Sequence, residues 1–292
     1  MKKIDLHIHT VPTISEADFT FSLDVFKRYV EEASLDAVAI TNHDVFDADQ
    51  FIQIQSSLNA TVFPGIEINV AKGHVLVIGS GAQLGDFESK AQVVADKITK
   101  IGDCLSVHEL IEIYGDLSSY LVIPHLDKSP PIRGEALDLL RPYICAGEVD
   151  SAKKFIRSIK DEAKPTPVRF SDSRMKEGLR RIPTRRTFVD CGEVTLASLK
   201  ACLADKSKVA LSESDGNRLW QVLEGGQMIS TGLNVLVGAR SSGKTHLLDE
   251  IYEIVESAKY IEQFSLVQQS EDEDERKFTS EIERRRSVFV DN

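Results

Sequence analysis

Short apolar runs that each stop at an imidazole or a carboxylate are what most restrict the folds open to this chain. Residues 4–6 lead into His7-Ile8-His9-Thr10, residues 37–41 into Asn42-His43-Asp44, and residues 61–63 into Pro64-Gly65-Ile66-Glu67. Further on, 121–124 ends at His125 and 168–171 ends at Asp172, while the run 74–78 opens at His74. Strand side chains alternate between faces, so His7 and His9, two residues apart, project together. Helical patterns at 23–33 and 47–58 separate the first three runs. Strands alternating with helices of this length predict β/α units around a mostly parallel sheet, with ligands gathered at the strands' carboxyl ends. Successive strands that each end in a metal-binding side chain predict one shared multinuclear centre.

Composition limits what such a sheet can serve. With 292 residues, 42% hydrophobic and 28% charged, the chain has material for one large α/β domain or two smaller ones. A net charge of -11 and a pI near 5.2 argue against general adhesion to nucleic acid or membrane, so any polyanion site is local. No run of 18 apolar residues occurs, and Met1-Lys2-Lys3 leads straight into a strand; the expectation is a cytoplasmic chain without membrane contact. Cys104, Cys145, Cys191 and Cys202 show no Cys-x-x-Cys spacing and read as thiols, neither a zinc knuckle nor a disulfide framework.

In order along the chain, His-x-His-Thr, Thr-x-His-Asp, Pro-Gly-x-Glu, Gly-His-x-Leu, Pro-His and Ser-Asp resemble the signature of the PHP (polymerase and histidinol phosphatase) domain, over residues 1–212. The resemblance implies an α/β fold, a distorted (β/α)7 barrel, whose two or three divalent ions (Mn, Zn or Fe) hydrolyse phosphoesters. By the same resemblance His7, His9, His43, Glu67, His74, His125 and Asp172 are metal ligands, with Glu67 as the bridge. A further carboxylate follows His-x-His; Glu16 and Asp18 compete for it, and Glu16 is placed in the expected set.

Two positions depart from the family pattern. Asn42 stands where the family has an aspartate, and Ser171-Asp172-Ser173-Arg174 ends in arginine where the family has histidine. Losing an imidazole and gaining a guanidinium weakens one metal position and supplies a fork suited to phosphate. The expectation is therefore a two-metal centre with Glu67, Asp172 and Arg174 as catalytic residues, the alternative being a site that has lapsed. His108, in the capping box Ser106-Val107-His108-Glu109, and His246 are assigned to no metal.

Residues 151–190 reverse the charge of the chain, with twelve Lys and Arg against five acids, +7 in all. Arg180, Arg181, Arg185 and Arg186 cluster around Pro183, which predicts contact with a nucleic-acid backbone. No aromatics interleave with these arginines, so phosphates rather than bases are the expected contacts.

A helix at 196–203, a strand at 209–211 and a polar run at 212–217 close the first domain, leaving 213–292 as a second. There residues 233–237 read as a strand running into Gly238-Ala239-Arg240-Ser241-Ser242-Gly243-Lys244-Thr245, with a helix expected from 246 to about 257. This is a P-loop in sequence: Gly238 and Gly243 let backbone N–H groups wrap phosphates, Lys244 reaches the terminal ones, and Thr245 holds Mg with ATP. The phrase 232–238 resembles the opening of an SMC/ABC-type ATPase, with Gln263 a candidate Q-loop residue. No apolar strand ending in Asp-Glu follows; 270–275 is acidic and 277–286 charged. The expectation is an incomplete P-loop segment, the amino-terminal part or a remnant of a longer PHP-ATPase, unable to turn over ATP alone, with a homo-oligomer or the missing ATPase remainder as partner. Function then reads as a metal-dependent phosphoesterase, a nuclease of DNA-repair or phage-defence type coupled to ATP binding. The alternatives are a nucleotide-binding assembly or sensor protein and a small-molecule phosphomonoesterase.

Overall fold

The computed structural model of the chain describes residues 1–212, 219–223, 227–230, 233–255 and 258–261. Its elements run β1 (Lys2–His9), α1 (Leu23–Ala33), β2 (Ala37–His43), α2 (Ala48–Ser57), β3 (Thr61–Val70), β4 (Gly73–Ile78), α3 (Leu84–Lys97), α4 (Val107–Tyr114) and β5 (Leu121–Asp127). Then come α5 (Glu135–Leu140), β6 (Gly147–Val149), α6 (Ala152–Lys160), β7 (Pro167–Val168), β8 (Ser173–Arg174), β9 (Thr187–Val189), α7 (Leu196–Leu203) and β10 (Val209–Ala210). Strands β11 (Leu219–Gln221) and β12 (Met228–Ser230) pair with each other, and α8 (Lys244–Ile254) follows.

The large sheet is nearly closed. Strands β1, β2 and β3 pair in parallel, as do β5, β6 and β7. The segment from β7 to β8 then crosses from β6 to β1: Val168 pairs with Glu148, while Ser173 and Arg174 pair with Ile8 and His9. Between them the chain breaks at Asp172, whose φ is +54°, and the Asp172 N–H donates to the His7 carbonyl at 2.9 Å. Counting 167–174 as one interrupted strand, seven strands form the ring, and β9 and β10 extend it antiparallel from β1.

One strand departs from the parallel expectation. β4 runs antiparallel to both neighbours because Ala71 and Lys72, at φ +48° and +67°, form a two-residue turn that returns the chain directly. Its beginning, rather than its end, therefore lies beside the carboxyl ends of β3 and β5.

Alternation along the strands decides what faces inward. Ala37, Ala39, Phe63, Leu76, Ile78, Leu121 and Ile123 belong to one buried cluster. Two or four residues away on the same faces come His43, Glu67, His74 and His125, so the apolar core carries the polar centre on top of it. The alternate residues Val38 and Ile40 pack under α1 and α2, where α1 buries Phe26, Tyr29, Val30 and Ala33 at helical spacing. Ile66, Ile68, Val75 and Val77 pack under α3 and α4 in the same way. Ser22, Asp47 and Ser151 cap α1, α2 and α6, and α4 opens with the Ser106/Glu109 capping box; His108 is exposed on its surface.

The chain divides into two compact units, Met1–Ala239 and Arg240–Asn292, a later boundary than the 212/213 read from the polar run. Val222 and Leu223, beyond that run, are buried. The strand expected at 233–237 is a correction: these residues are in no strand, and Leu233, Val235 and Val237 are 92%, 75% and 82% exposed. A buried P-loop strand needs a sheet neighbour on each side, and none is present for it among the described residues. Helix α8 does form, opening at Lys244 after Gly243 at φ +85°, but buries no side chain. Gln263 and the charged runs 270–275 and 277–286 lie outside the described residues.

Candidate metal centre

Glu67, 1% exposed, stands at the middle of the barrel mouth. Its Oε2 lies 2.9 Å from His7 Nε2, 3.1 Å from His43 Nε2 and 3.4 Å from His9 Nε2. Its Oε1 lies 2.7 Å from His74 Nδ1 and 3.2 Å from His125 Nε2. Five imidazoles from β1, β2, β4 and β5 thus meet one carboxylate. Asp172, brought in by the break between β7 and β8, places Oδ1 at 3.0 Å from His9 Nε2 and 3.5 Å from His7 Nε2.

Glu16 joins the group from the loop after β1, with Oε1 at 3.4 Å from His9 Nδ1 and 3.9 Å from His43 Nε2. Asp18 is exposed and stays outside these clusters. Asn42 points away from them: its Oδ1 accepts the Thr10 and Val11 N–H groups at 2.6 and 3.0 Å and so fixes the chain leaving β1. Arg174 lies inside the group. Its guanidinium donates from Nη1 to Asp172 Oδ1 at 2.7 Å and ion-pairs through Nη2 with Glu16.

Two members were not anticipated from sequence. Glu148 on β6 is fully buried, with Oε2 at 2.8 Å from His7 Nδ1 and 3.1 Å from His125 Nε2. Lys128, 8% exposed just beyond β5, has its Nζ at 2.9 Å from each of Glu148 Oε1, Asp172 Oδ2 and His7 Nδ1.

The protonation of these groups follows from burial set against neighbouring charge. For His7 burial alone would lower the pKa, but the Glu148 and Glu67 carboxylates outweigh it and push it up to about 10. His43 goes the other way, to about 3, because burial dominates over Glu67. Burial likewise lowers His9. Glu67, Glu148 and Asp172 are held well below the usual carboxylate range: burial would raise them, and the facing His7 charge prevails in each.

Four overlapping groups bring ligand atoms within 4.8 Å of one another: His7, His9, Glu67 and Asp172; His43, Glu67 and His74; His9, Glu16 and His43; and His7, His125 and Glu148. Nitrogen and carboxylate donors in this mixture suit Mn, Fe or Zn. The residues fit such ions on a second count. His125 Nε2 is buried between two carboxylates yet hydrogen-bonds to neither. A ring nitrogen buried against two carboxylates without a hydrogen bond to either is what a cation between them requires.

Beside His43 and Glu16 opens a cavity of about 930 Å³, whose wall includes Asp18, Asp44, Asp47, Asp49 and Glu88 together with Val11, Ile14 and Phe46. Of the basic stretch, Arg186 is buried and spends its guanidinium on the Ala33 and Pro183 carbonyls. Arg157 and Lys164 pair with Asp127, whereas Lys176 and Arg180 are exposed just after Arg174.

No protein-family model matches the chain, and no curated protein matches it in sequence. Solved structures do. PsfC from Pseudomonas syringae matches at 18% identity over 70% of this chain and 89% of its own, with a TM-score of 0.45. A Bacteroides vulgatus two-domain protein containing a predicted PHP-like metal-dependent phosphoesterase matches at 15% over 72% of this chain and 64% of its own, TM-score 0.46. An amidohydrolase from Chromobacterium violaceum, solved with sulfate and no metal, matches at 13% over 58% and 87%, TM-score 0.37. At these scores the site's own residues carry the functional reading. No helix among the described residues is long and apolar enough to cross a membrane.

Proposed function

We propose that this chain is a metal-dependent phosphoesterase. The observation that carries the reading is Glu67, ringed by five imidazoles at 2.7–3.4 Å at one mouth of the barrel. His7, His9, Glu67 and Asp172 would hold one divalent ion and Glu67, His43 and His74 a second, with His125 alongside. Bound there, such ions supply Lewis acidity and bring the pKa of a shared water toward neutrality. The chain's own groups orient and balance. Asp172 is fixed from three sides by His9, Lys128 and Arg174, so its carboxylate cannot swing. Arg174, a third exposed, has N–H donors beyond those given to Asp172 and Glu16, and these would take a phosphoryl oxygen and offset charge in the transition state.

The finer reading is a nuclease. Its support is Lys176 and Arg180, exposed on the segment that follows Arg174, where a phosphate backbone would leave the centre. A second reading, a phosphatase of small monoesters, is favoured by the acidic cavity beside His43, which repels a polyanion on that side. ATP binding through Gly238, Gly243, Lys244 and Thr245 has the glycine-led start of α8 in its favour. That residues 233–237 form no strand weighs against it.

Metal-free protein loaded with Mn²⁺ or Zn²⁺, with His9→Ala as control, is assayed on single- and double-stranded oligonucleotides and on 4-nitrophenyl phosphate. Metal-dependent oligonucleotide cleavage, weakened by Arg180→Ala and by added salt, is expected. Monoester turnover without cleavage selects the second reading, and a metal-loaded protein inert on all of them overturns both.

A further inference from the structure

His7 presents two faces. On one side its Nε2 meets Glu67 Oε2 at 2.9 Å and Asp172 Oδ1 at 3.5 Å; on the other its Nδ1 meets Glu148 Oε2 at 2.8 Å and Lys128 Nζ at 2.9 Å. Ligand atoms converge on both faces: with His9, Glu67 and Asp172 on the first, and with His125 and Glu148 on the second. An imidazole that ligates through one nitrogen carries its proton on the other, so His7 serves one of these groups.

We propose that Lys128 and Glu148 form a buried positioning pair: Glu148 holds the proton on His7 Nδ1 and so directs Nε2 to the Glu67 side, while the Lys128 ammonium stands where an ion on the second face would sit. The inference rests on the metal reading above and adds to it which group stays free of metal.

The geometry leaves little else for these two side chains to do. Glu148 is fully buried, and a carboxylate facing Nδ1 accepts its proton, fixes the tautomer and makes the far nitrogen a better donor to metal. With that proton in place the ammonium cannot donate to Nδ1; its own protons go to Glu148 Oε1 and Asp172 Oδ2, both at 2.9 Å. Lys128 thereby neutralises Glu148, which alone would be a buried charge beside His125 and would attract a cation.

Charge balance gives the pair a second consequence. Glu16, Glu67, Glu148 and Asp172 contribute four negative charges, and Lys128 and Arg174 return two. With neutral imidazoles the centre stands at −2, so two divalent ions bring it to +2, matched to a phosphate dianion. Removing Lys128 makes the empty centre more attractive to cations and the loaded one less attractive to phosphate. Removing the charge of Glu148 does the reverse.

The test titrates Zn²⁺ into metal-free wild type, Lys128→Met and Glu148→Gln by calorimetry, then inorganic phosphate into each Zn-loaded protein. Lys128→Met is expected to take Zn²⁺ more tightly or in one further equivalent, and to bind phosphate about tenfold more weakly. Glu148→Gln is expected to lose about 10–100-fold in Zn²⁺ affinity while binding phosphate at least as tightly as wild type. Lys128→Arg, which keeps the charge, restores wild-type phosphate binding. Nitrogen-15 spectra of the Zn-loaded wild type place the His7 proton on Nδ1. Should Lys128→Met fail to fold, Lys128→Gln is read in its place. If both charge-removing variants weaken zinc and phosphate alike, or if the proton lies on Nε2, the proposal is overturned while the metal reading stands. Wild type that takes up no metal overturns both.

Discussion

Glu67 is the residue on which the most depends, because both of its oxygens are shared among five imidazoles. Glu67→Gln puts an amide nitrogen where one oxygen stands, and a nitrogen that carries protons cannot ligate. Metal affinity should fall by more than the 10–100-fold that loss of an outer partner costs, with hydrolysis lost alongside; equilibrium dialysis showing near wild-type metal content would contradict this. His7 gives a pH dependence. Its pKa of about 10 in the metal-free protein means that at pH 7–9 a proton sits where an ion must bind, so loading releases it. Metal affinity should then climb about tenfold per pH unit across this range and level off above about 10; a flat profile between pH 7 and 9 counts against His7 as a ligand. The histidines and Glu67 were legible in sequence because each follows or opens an apolar strand. Glu148 was not: β6 has three residues, Gly147, Glu148 and Val149, too few to show alternation. Lys128 reads as an ordinary loop lysine until the fold buries it.

Among the elements, the segment from β7 to β8 decides whether a sheet becomes a ring, and Asp5 holds it there. Asp5 is fully buried and accepts the Ser171 N–H at 3.0 Å and the Tyr29 hydroxyl at 2.6 Å. It therefore ties the segment carrying Asp172 to β1 and to helix α1. Asp5→Ala leaves both donors without an acceptor and removes a charge facing the buried Arg186 guanidinium. The cost should be about 2–4 kcal/mol in denaturant unfolding, with metal affinity falling as Asp172 loosens; unchanged stability would show that closure does not depend on Asp5. Apolar runs and helix spacing announced β1, β2, β3 and β5. The reversed direction of β4 was hidden, since Ala71-Lys72 carries no glycine or asparagine to mark a tight turn. β7 and β8, two residues each, acquire strand geometry only from their neighbours.

At the scale of the whole molecule, the barrel's apolar clusters and candidate metal groups among the described residues all lie in the first unit, Met1–Ala239. Its three apolar clusters lie between Ile4 and Leu211, and all four candidate metal groups lie between His7 and Asp172. Helix α8, by contrast, buries no side chain, and residues 233–237 present an apolar run to solvent. The P-loop reading rested on the letters 238–245, whereas its physics needs a strand on the near side of the glycines, and residues 233–237 form none. A chain ending at Ala239 should accordingly melt within about 2 °C of the full chain, a difference well under 1 kcal/mol at this size. It should also take up the same number of metal equivalents. A loss of more than about 5 °C, or of one metal equivalent, would show that Arg240–Asn292 supports the barrel after all. Equal melting with lost ATP binding would instead confine the second unit's contribution to its nucleotide.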